Sequence, residues 1–208
     1  MRARLTRRGR AHSVNRQRFA VNGGSMNDRS YQLVVAALVA ALLAVSAWVT
    51  LPLGAVPVTL QAGVVVLAGL LLPPGTAAAA VGGYVLLGAF GLPVFSGMRG
   101  GLHVLAGPTG GYLVGFVIGA VGASLIRERL AARFPRATDA VAAAACLLGI
   151  YAPGWAWLAL SSGMGAAPAF WQGVAVFLPV DALKAAAAVV LAGAVRRAGA
   201  RVARREAG

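Results

Sequence analysis

The sequence predicts an all-α integral membrane protein, and its composition and the placement of its charges are the observations that predict this. Of its 208 residues, 59% are hydrophobic and only 12% are charged, and the mean hydropathy is +0.78. A soluble domain carries about twice that charged fraction. Nearly all of the arginines precede Tyr31, lie between Arg127 and Arg136, or occur from Arg196 onward. The long apolar runs between these clusters are therefore expected to cross a lipid bilayer.

The net charge of +14 does not indicate nucleic-acid binding. A nucleic-acid-binding protein presents its basic residues on a folded polar surface together with side chains that read base edges, and the sequence has no such segment. We interpret the basic clusters as determinants of membrane topology.

Six apolar segments are the candidate spans, since about 20 apolar residues cross the hydrocarbon core as a helix. They are Tyr31–Thr50, Val58–Leu72, Thr76–Gly91, Pro108–Arg127, Asp139–Leu160 and Pro179–Val195. The six-helix membrane domain is expected to cover residues 30–197, between a basic N-terminal tail at 1–29 and a basic C-terminal tail at 198–208. Arginine-rich segments mark the cytoplasmic face, so both termini are expected to be cytoplasmic in the cell membrane.

The N-terminal tail allows two interpretations. It has no apolar segment before Tyr31, which excludes a signal peptide of the usual layout. Either Met26 is the natural start of translation, or the tail is a disordered cytoplasmic arm attracted to anionic lipid.

Asp181 and Lys184 are charged residues inside a predicted span, and such residues usually mark function because charge is costly in hydrocarbon. Their spacing of three puts them on one face of the last helix, in its outer half. They form either a mutually neutralising pair or a polar anchor for a ligand that enters from outside.

Glycines are dense before and within the fourth span. Gly107, Gly110 and Gly111, with Pro108 and Thr109 between them, are expected in a loop where backbone approaches backbone or ligand. A phosphate-binding loop would continue with Gly-Lys-Ser/Thr, which is absent here, so nucleotide-driven work is expected from a partner protein.

Small residues recur at a spacing of four on the first span, at Ala36, Ala40 and Ala44. Such a stripe lets another helix approach closely. It is a candidate docking surface for a partner subunit in the membrane.

Four ordered motifs resemble those of the BioY family, the biotin-binding S component of energy-coupling factor (ECF) transporters. They are Val56–Gln61, Tyr84–Phe95, Gly107–Phe116 and Asp181–Lys184. The resemblance covers nearly everything from Tyr31 to Val195. It implies a six-helix S-component fold that binds biotin near the outer face, with a membrane-embedded coupling subunit and two cytoplasmic ABC-type ATPases as partners.

The resemblance also implies a binding site. In the family, the aspartate and lysine of the last helix contribute to the biotin site, which maps onto Asp181 and Lys184. The loops after the first and third helices help to close it, which maps onto Val56–Gln61, with Thr59 and Gln61, and onto Leu92–Gly107.

The chemistry of biotin suits these groups. An ionised Asp181 can accept a hydrogen bond from a ureido N–H, and Lys184 can satisfy the ureido carbonyl or hold the aspartate in place. Arg99 is either the partner of the valerate carboxylate or an interfacial anchor. Tyr84, Phe95 and Tyr112 are candidate apolar walls, although Tyr84 and Phe95 also fit as core aromatics.

Two alternatives remain open at this stage. One is an S component for another small vitamin, such as thiamine or riboflavin, and the other is an intramembrane enzyme. We expect no metal and no cofactor, because the sequence contains only two histidines and no carboxylate lies near them. We expect no catalytic residue, because no serine lies at the same membrane depth as Lys184.

Overall fold

A computed structural model describes residues 28–51, 56–134 and 137–206 of the chain. The predictions for the N-terminal tail and for Met26 lie outside these residues. The elements, in chain order, are α1 Asp28–Trp48, β1 Thr50–Leu51, β2 Val58–Thr59, α2 Gln61–Leu71, α3 Pro74–Ala89, α4 Leu102–Ala106, α5 Gly110–Leu130, α6 Thr138–Ser162, α7 Ala166–Phe170, a π-helical turn Trp171–Ala175 and α8 Leu178–Glu206.

Four helical segments in the described part of the chain are long and apolar enough to cross a membrane: Arg29–Trp48, Gly110–Leu130, Thr138–Ser162 and Ala166–Val202. This agrees with the expected helical membrane protein. The second and third predicted spans correspond to shorter helices. With 11 residues, α2 is about 16 Å long, whereas the hydrocarbon core is about 30 Å thick.

The reason for the short second helix is a small hairpin. Thr50 and Leu51 pair antiparallel with Thr59 and Val58, so Val58 and Thr59 are extended rather than helical. The apolar run that begins at Val58 therefore divides between a strand that covers the end of the bundle and a helix that enters it.

The last helix, α8, is the longest in the described chain. Its 29 residues correspond to about 43 Å. Pro179 lies in its first turn, where the missing N–H has no intrahelical partner to lose. The helix continues to Glu206, so most of the segment predicted as a C-terminal tail is helical.

The tightest helix packing joins α5 to α6 through a glycine stripe, Gly111, Gly115 and Gly119. A Cβ atom on Gly115 would lie 2.6 Å from the carbonyl oxygen of Ile150, and one on Gly119 would lie 2.6 Å from that of Cys146. Small residues at a spacing of four allow this backbone approach within a membrane. The stripe holds the two helices in direct contact along much of their length.

A charged cluster ties four helices together at the basic end of the bundle. Asp139, at the start of α6, accepts a hydrogen bond from Nε of Arg127 at 3.2 Å and another from Arg196. Arg196 also donates to the carbonyl oxygen of Leu70 at 3.3 Å. Four helices therefore meet around one carboxylate: α2 and α5 at their ends, α6 at its start and α8 in its second half.

We predict that Gly115→Ala destabilises the bundle by about 1–3 kcal/mol, because an added methyl group must force α5 away from α6. The measurement is thermal unfolding of the purified protein in detergent. Gly122→Ala on the same helix is the matched control, since a Cβ there meets nothing within 4 Å. Equal melting temperatures for the two variants would contradict the packing role of the stripe.

Candidate ligand-binding site

Two adjoining cavities lie at the end of the bundle away from the Asp139 cluster, beneath the hairpin. Their volumes are small, about 60 and 50 Å³, below the roughly 300 Å³ at the lower end of small-molecule sites. Five residues border both cavities: Val56, Pro57, Thr59, Tyr112 and Phe116. Because they share these walls, we treat the cavities as two lobes of one site.

The carboxylate of Asp181 forms the polar end of the second lobe. Asp181 is buried, with 7% exposure, and lines the second lobe beside Tyr151. The Tyr151 hydroxyl donates to Oδ2 at 2.7 Å, and the Lys184 ammonium donates to Oδ1 at 2.6 Å. A carboxylate has about four acceptor positions, so Asp181 retains capacity to accept from a ligand.

Lys184 stands behind Asp181 and borders neither lobe. Its ammonium also donates to the carbonyl oxygen of Thr59 at 2.6 Å. The structure thus brings the predicted pair together, with Asp181 facing the site and Lys184 facing the hairpin.

Thr59 and Gln61 begin a hydrogen-bonded chain that reaches the loop after α3. The Thr59 hydroxyl donates to Oε1 of Gln61 at 2.9 Å, and Nε2 of Gln61 donates to the Tyr84 hydroxyl at 2.5 Å. The Tyr84 hydroxyl in turn donates to the carbonyl oxygen of Val94 at 3.0 Å. Tyr84 is only 1% exposed and borders neither lobe, so it supports the site from the core, whereas Thr59 and Gln61 line the first lobe.

Arg99 and Phe95 border the first lobe because a tight turn brings them together. The amide of Phe95 donates to the Arg99 carbonyl at 2.9 Å, and Met98 within the turn adopts a φ of 57°. Arg99 is exposed, and its Nε donates to the Ser96 carbonyl at 3.1 Å. Phe95 is buried and packs edge-on against Tyr84.

Tyr112, in the first turn of α5, borders both lobes. Its hydroxyl donates to the carbonyl oxygen of Gly173 at 2.9 Å, which links α5 to the π-helical turn. The ring is therefore held in place as a wall common to both lobes.

The predicted loop-closure segment lies at the start of α5. Gly110 and Gly111 form the first turn of this helix, and Thr109 borders the first lobe. Pro108 is exposed, and the carbonyl of Gly107 accepts a hydrogen bond from the Trp157 indole at 2.9 Å. The segment thus connects the site to α6.

The predicted docking stripe on α1 faces the bundle. Ala36 is buried, and Ala40 and Ala44 are half-buried against the core. Helix α1 packs mainly on α3, so in this structure the small side chains serve packing within the chain.

Sequence reasoning did not identify Tyr151, Phe116 or Phe177 as lining residues. Tyr151 offered a signal, since a phenol in the middle of an apolar span needs a hydrogen-bond partner at membrane depth. The two phenylalanines offered none, because an apolar residue that lines a cavity has the same sequence pattern as one that packs in the core.

The chain is similar in sequence to a known protein family and to several of its members. The BioY family profile matches residues 17–201. The "Probable biotin transporter BioY" of Pyrococcus horikoshii is 39% identical over 164 residues, which cover 79% of this chain and 95% of that protein. The "Biotin transporter BioY" of Thermotoga maritima is 50% identical over 98 residues, which cover 47% of this chain and 58% of that protein.

A solved structure shares the fold. The crystal structure of "the S-component for biotin from an ECF-type ABC transporter" aligns with a TM-score of 0.77 over 84% of this chain and 95% of that one. The sequence identity is 24%, so this likeness shows a common fold.

We predict that Tyr84→Phe destabilises the protein by about 1–3 kcal/mol, because it leaves the buried Gln61 amide without its acceptor. Thermal unfolding in detergent measures the effect. Tyr31→Phe is the matched control, since Tyr31 is 60% exposed. A melting temperature equal to that of the control would show that the Gln61–Tyr84 bond contributes nothing to stability.

Proposed function

Because the chain belongs to the BioY family, we propose that it binds biotin as the substrate-specificity subunit of a vitamin uptake transporter. The observation that carries this proposal is the two-lobed cavity, with a carboxylate at one end and a guanidinium at the other. Biotin has the complementary layout, since its ureido ring and its carboxylate lie at opposite ends of an apolar body.

The second lobe suits the ureido ring. This ring offers two N–H donors and one carbonyl acceptor. Asp181 accepts from an N–H, and the Tyr151 hydroxyl, which reaches Asp181 at 2.7 Å, is placed to meet the polar edge of the ring. A hydrogen bond to a charged group contributes about 1.5–3 kcal/mol, so Asp181 is the main determinant of affinity in this lobe.

Apolar side chains suit the fused ring and the alkyl chain. Tyr112 and Phe116 border both lobes, while Ile150 and Phe177 border the second. Ligand sites are typically lined by aromatic and aliphatic groups with few polar contacts. These walls exclude water from the ligand and leave orientation to the two polar ends.

The first lobe suits the valerate carboxylate. Arg99 carries five N–H donors, and its bond to Ser96 uses one of them. A planar guanidinium can therefore still receive a carboxylate in a bidentate arrangement.

Transport by this chain requires partners under the same proposal. The glycine-rich segment at residues 107–111 lacks the Gly-Lys-Ser/Thr sequence of a phosphate-binding loop, so nucleotide hydrolysis has to occur elsewhere. We assign it to two cytoplasmic ABC-type ATPases that act through a membrane-embedded coupling subunit, as in an ECF-type transporter. The chain itself then acts as a binding protein and not as an enzyme.

The proposed topology has six membrane-embedded helices and both termini in the cytoplasm. Arg127 and Arg196 both contact Asp139, so the basic ends of α5 and α8 lie on one side of the bundle. Basic residues favour the cytoplasmic side, which directs the ligand cavity outward. The short helices α2 and α3 enter the membrane between longer neighbours.

We predict that the purified chain binds labelled biotin, without competition from thiamine or riboflavin, and that Asp181→Asn weakens binding tenfold to hundredfold. Equilibrium binding measures both effects. Asp139→Asn is the matched control, because it neutralises a carboxylate at the opposite end of the bundle and should leave biotin affinity unchanged.

A double variant separates ligand binding from mutual neutralisation. Asp181→Leu with Lys184→Leu leaves no unpaired charge in the membrane, so the protein should remain folded. Under the proposal this folded variant binds almost no biotin. Normal affinity would remove both residues from the site.

We also predict that Arg99→Ala weakens the binding of biotin at least tenfold more than the binding of biotin amide, whose valerate end carries no charge. Competition assays with the two ligands measure the difference. Equal losses for both ligands would assign Arg99 to loop structure or to anchoring at the membrane interface.

A further inference from the structure

A separate cavity lies at the basic end of the bundle, between the starts of α1 and α3. Its volume is about 210 Å³, larger than either lobe of the ligand cavity. Helix α3 begins just after α2, whose end accepts the hydrogen bond from Arg196, so this cavity and the ligand cavity lie at opposite ends of the bundle. The residues that line it are Arg29, Gln32, Leu33, Gly75, Thr76 and Ala79.

One lining residue carries a polar group that the fold leaves unsatisfied. Thr76 is only 5% exposed, and its Oγ1 is buried without a hydrogen-bond partner among the described residues. A buried hydroxyl in this state lowers the stability of a protein. Because Thr76 borders the cavity, a group bound there can supply the missing partner.

The start of α3 offers two further donors beside this hydroxyl. Pro73 and Pro74 have no N–H, and the amide of Ala77 donates to the Pro73 carbonyl at 2.9 Å. The N–H groups of Gly75 and Thr76 therefore have no partner within the helix. In the described chain this helix start has no side-chain cap and no acidic residue in its first turn. Such a helix start attracts an anion.

Helix α1 places a cation at the same cavity. Arg29 and Gln32 are three positions apart, which puts them on one helix face, and both border the cavity. A guanidinium binds the oxygens of a phosphate in a two-point arrangement, and an amide supplies two further donors. Among the described residues that border the cavity none is acidic. This set of donors suits an anion with several acceptor oxygens.

We infer that the cavity binds the phosphate group of an anionic phospholipid in the leaflet at the basic end of the bundle. Leu33 and Ala79 lie one turn deeper in the membrane than Arg29 and Gly75, and both border the cavity. This apolar side suits the glycerol and acyl part of a lipid, which a free phosphate ion lacks. Basic pockets between membrane helices bind lipid headgroups in this way. The inference is independent of biotin binding.

Titration with phosphatidylglycerol, followed by native mass spectrometry of the purified chain in detergent, tests the site. Arg29→Gln should weaken the binding of this lipid about tenfold or more, and Thr76→Val, which keeps the shape of the side chain, about threefold or more. Arg201→Gln is the matched control, because it removes an exposed charge of α8 outside the cavity and should leave the binding unchanged. Equal losses in the two arginine variants would overturn the site.

Two further probes distinguish the lipid from other sources of phosphate. Phosphatidylcholine has the same phosphate with an added cation, so it should bind about fivefold more weakly than phosphatidylglycerol. Inorganic phosphate lacks the apolar part and should not displace the lipid. Equal binding of the two lipids would contradict the recognition of an anion, and displacement by inorganic phosphate would show that a free ion is the occupant and overturn the lipid.

The unsatisfied hydroxyl also predicts a reversal in stability. In detergent without phospholipid, Thr76→Val removes a buried polar group that has no partner, so its melting temperature should equal or exceed that of the unaltered protein. With phosphatidylglycerol the order should reverse, since only threonine gains a hydrogen bond to the phosphate. A lower melting temperature of Thr76→Val without lipid would show that the hydroxyl already has a structural partner, and would overturn the inference drawn from it.

Discussion

A polar group at membrane depth must find its partner inside the protein, because hydrocarbon offers none. The arrangement around the cavity follows from this constraint. Asp181 is satisfied by Lys184 and Tyr151, and the bonds continue through Thr59, Gln61 and Tyr84. Among the described residues, the hydroxyl of Thr76 is the single buried side-chain group without a partner. The same bonds that make these polar groups tolerable in a membrane also give the cavity its shape and its acceptor.

The two ends of the bundle differ in structure. At the basic end, Asp139 joins the termini of several helices through two arginines, which fixes their relative positions. Between the ends, the glycine stripe of α5 holds α6 in backbone contact and leaves no space for a ligand. At the other end, short strands and loops replace helix, and larger side chains such as Tyr112 surround an open volume. Close helix packing in the rest of the bundle therefore supports the cavity at this end.

The proposed site places its polar groups apart from one another. Its polar groups lie at the margins of an apolar cavity, with Asp181 at one end and Arg99 at the other. Such a layout discriminates by length and by the position of donors and acceptors, because a ligand that cannot reach both ends forms no hydrogen bond at one of them. Under the proposed function, the separation of these two ends contributes to specificity.

The sequence by itself determined the membrane class and most of the helical segments, and it predicted that Asp181 and Lys184 share one helix face, since hydropathy and charge in an apolar run are local properties. Four ordered motifs also sufficed for the family. Only the tertiary structure decided that Tyr84 lies beneath the site, that Tyr151 faces it and that the alanine stripe of α1 packs inward. It also decided that Lys184 reaches Thr59, which lies 125 positions away. These features depend on which helix faces are brought together, and a pattern within one helix contains no information about the neighbour that it will meet.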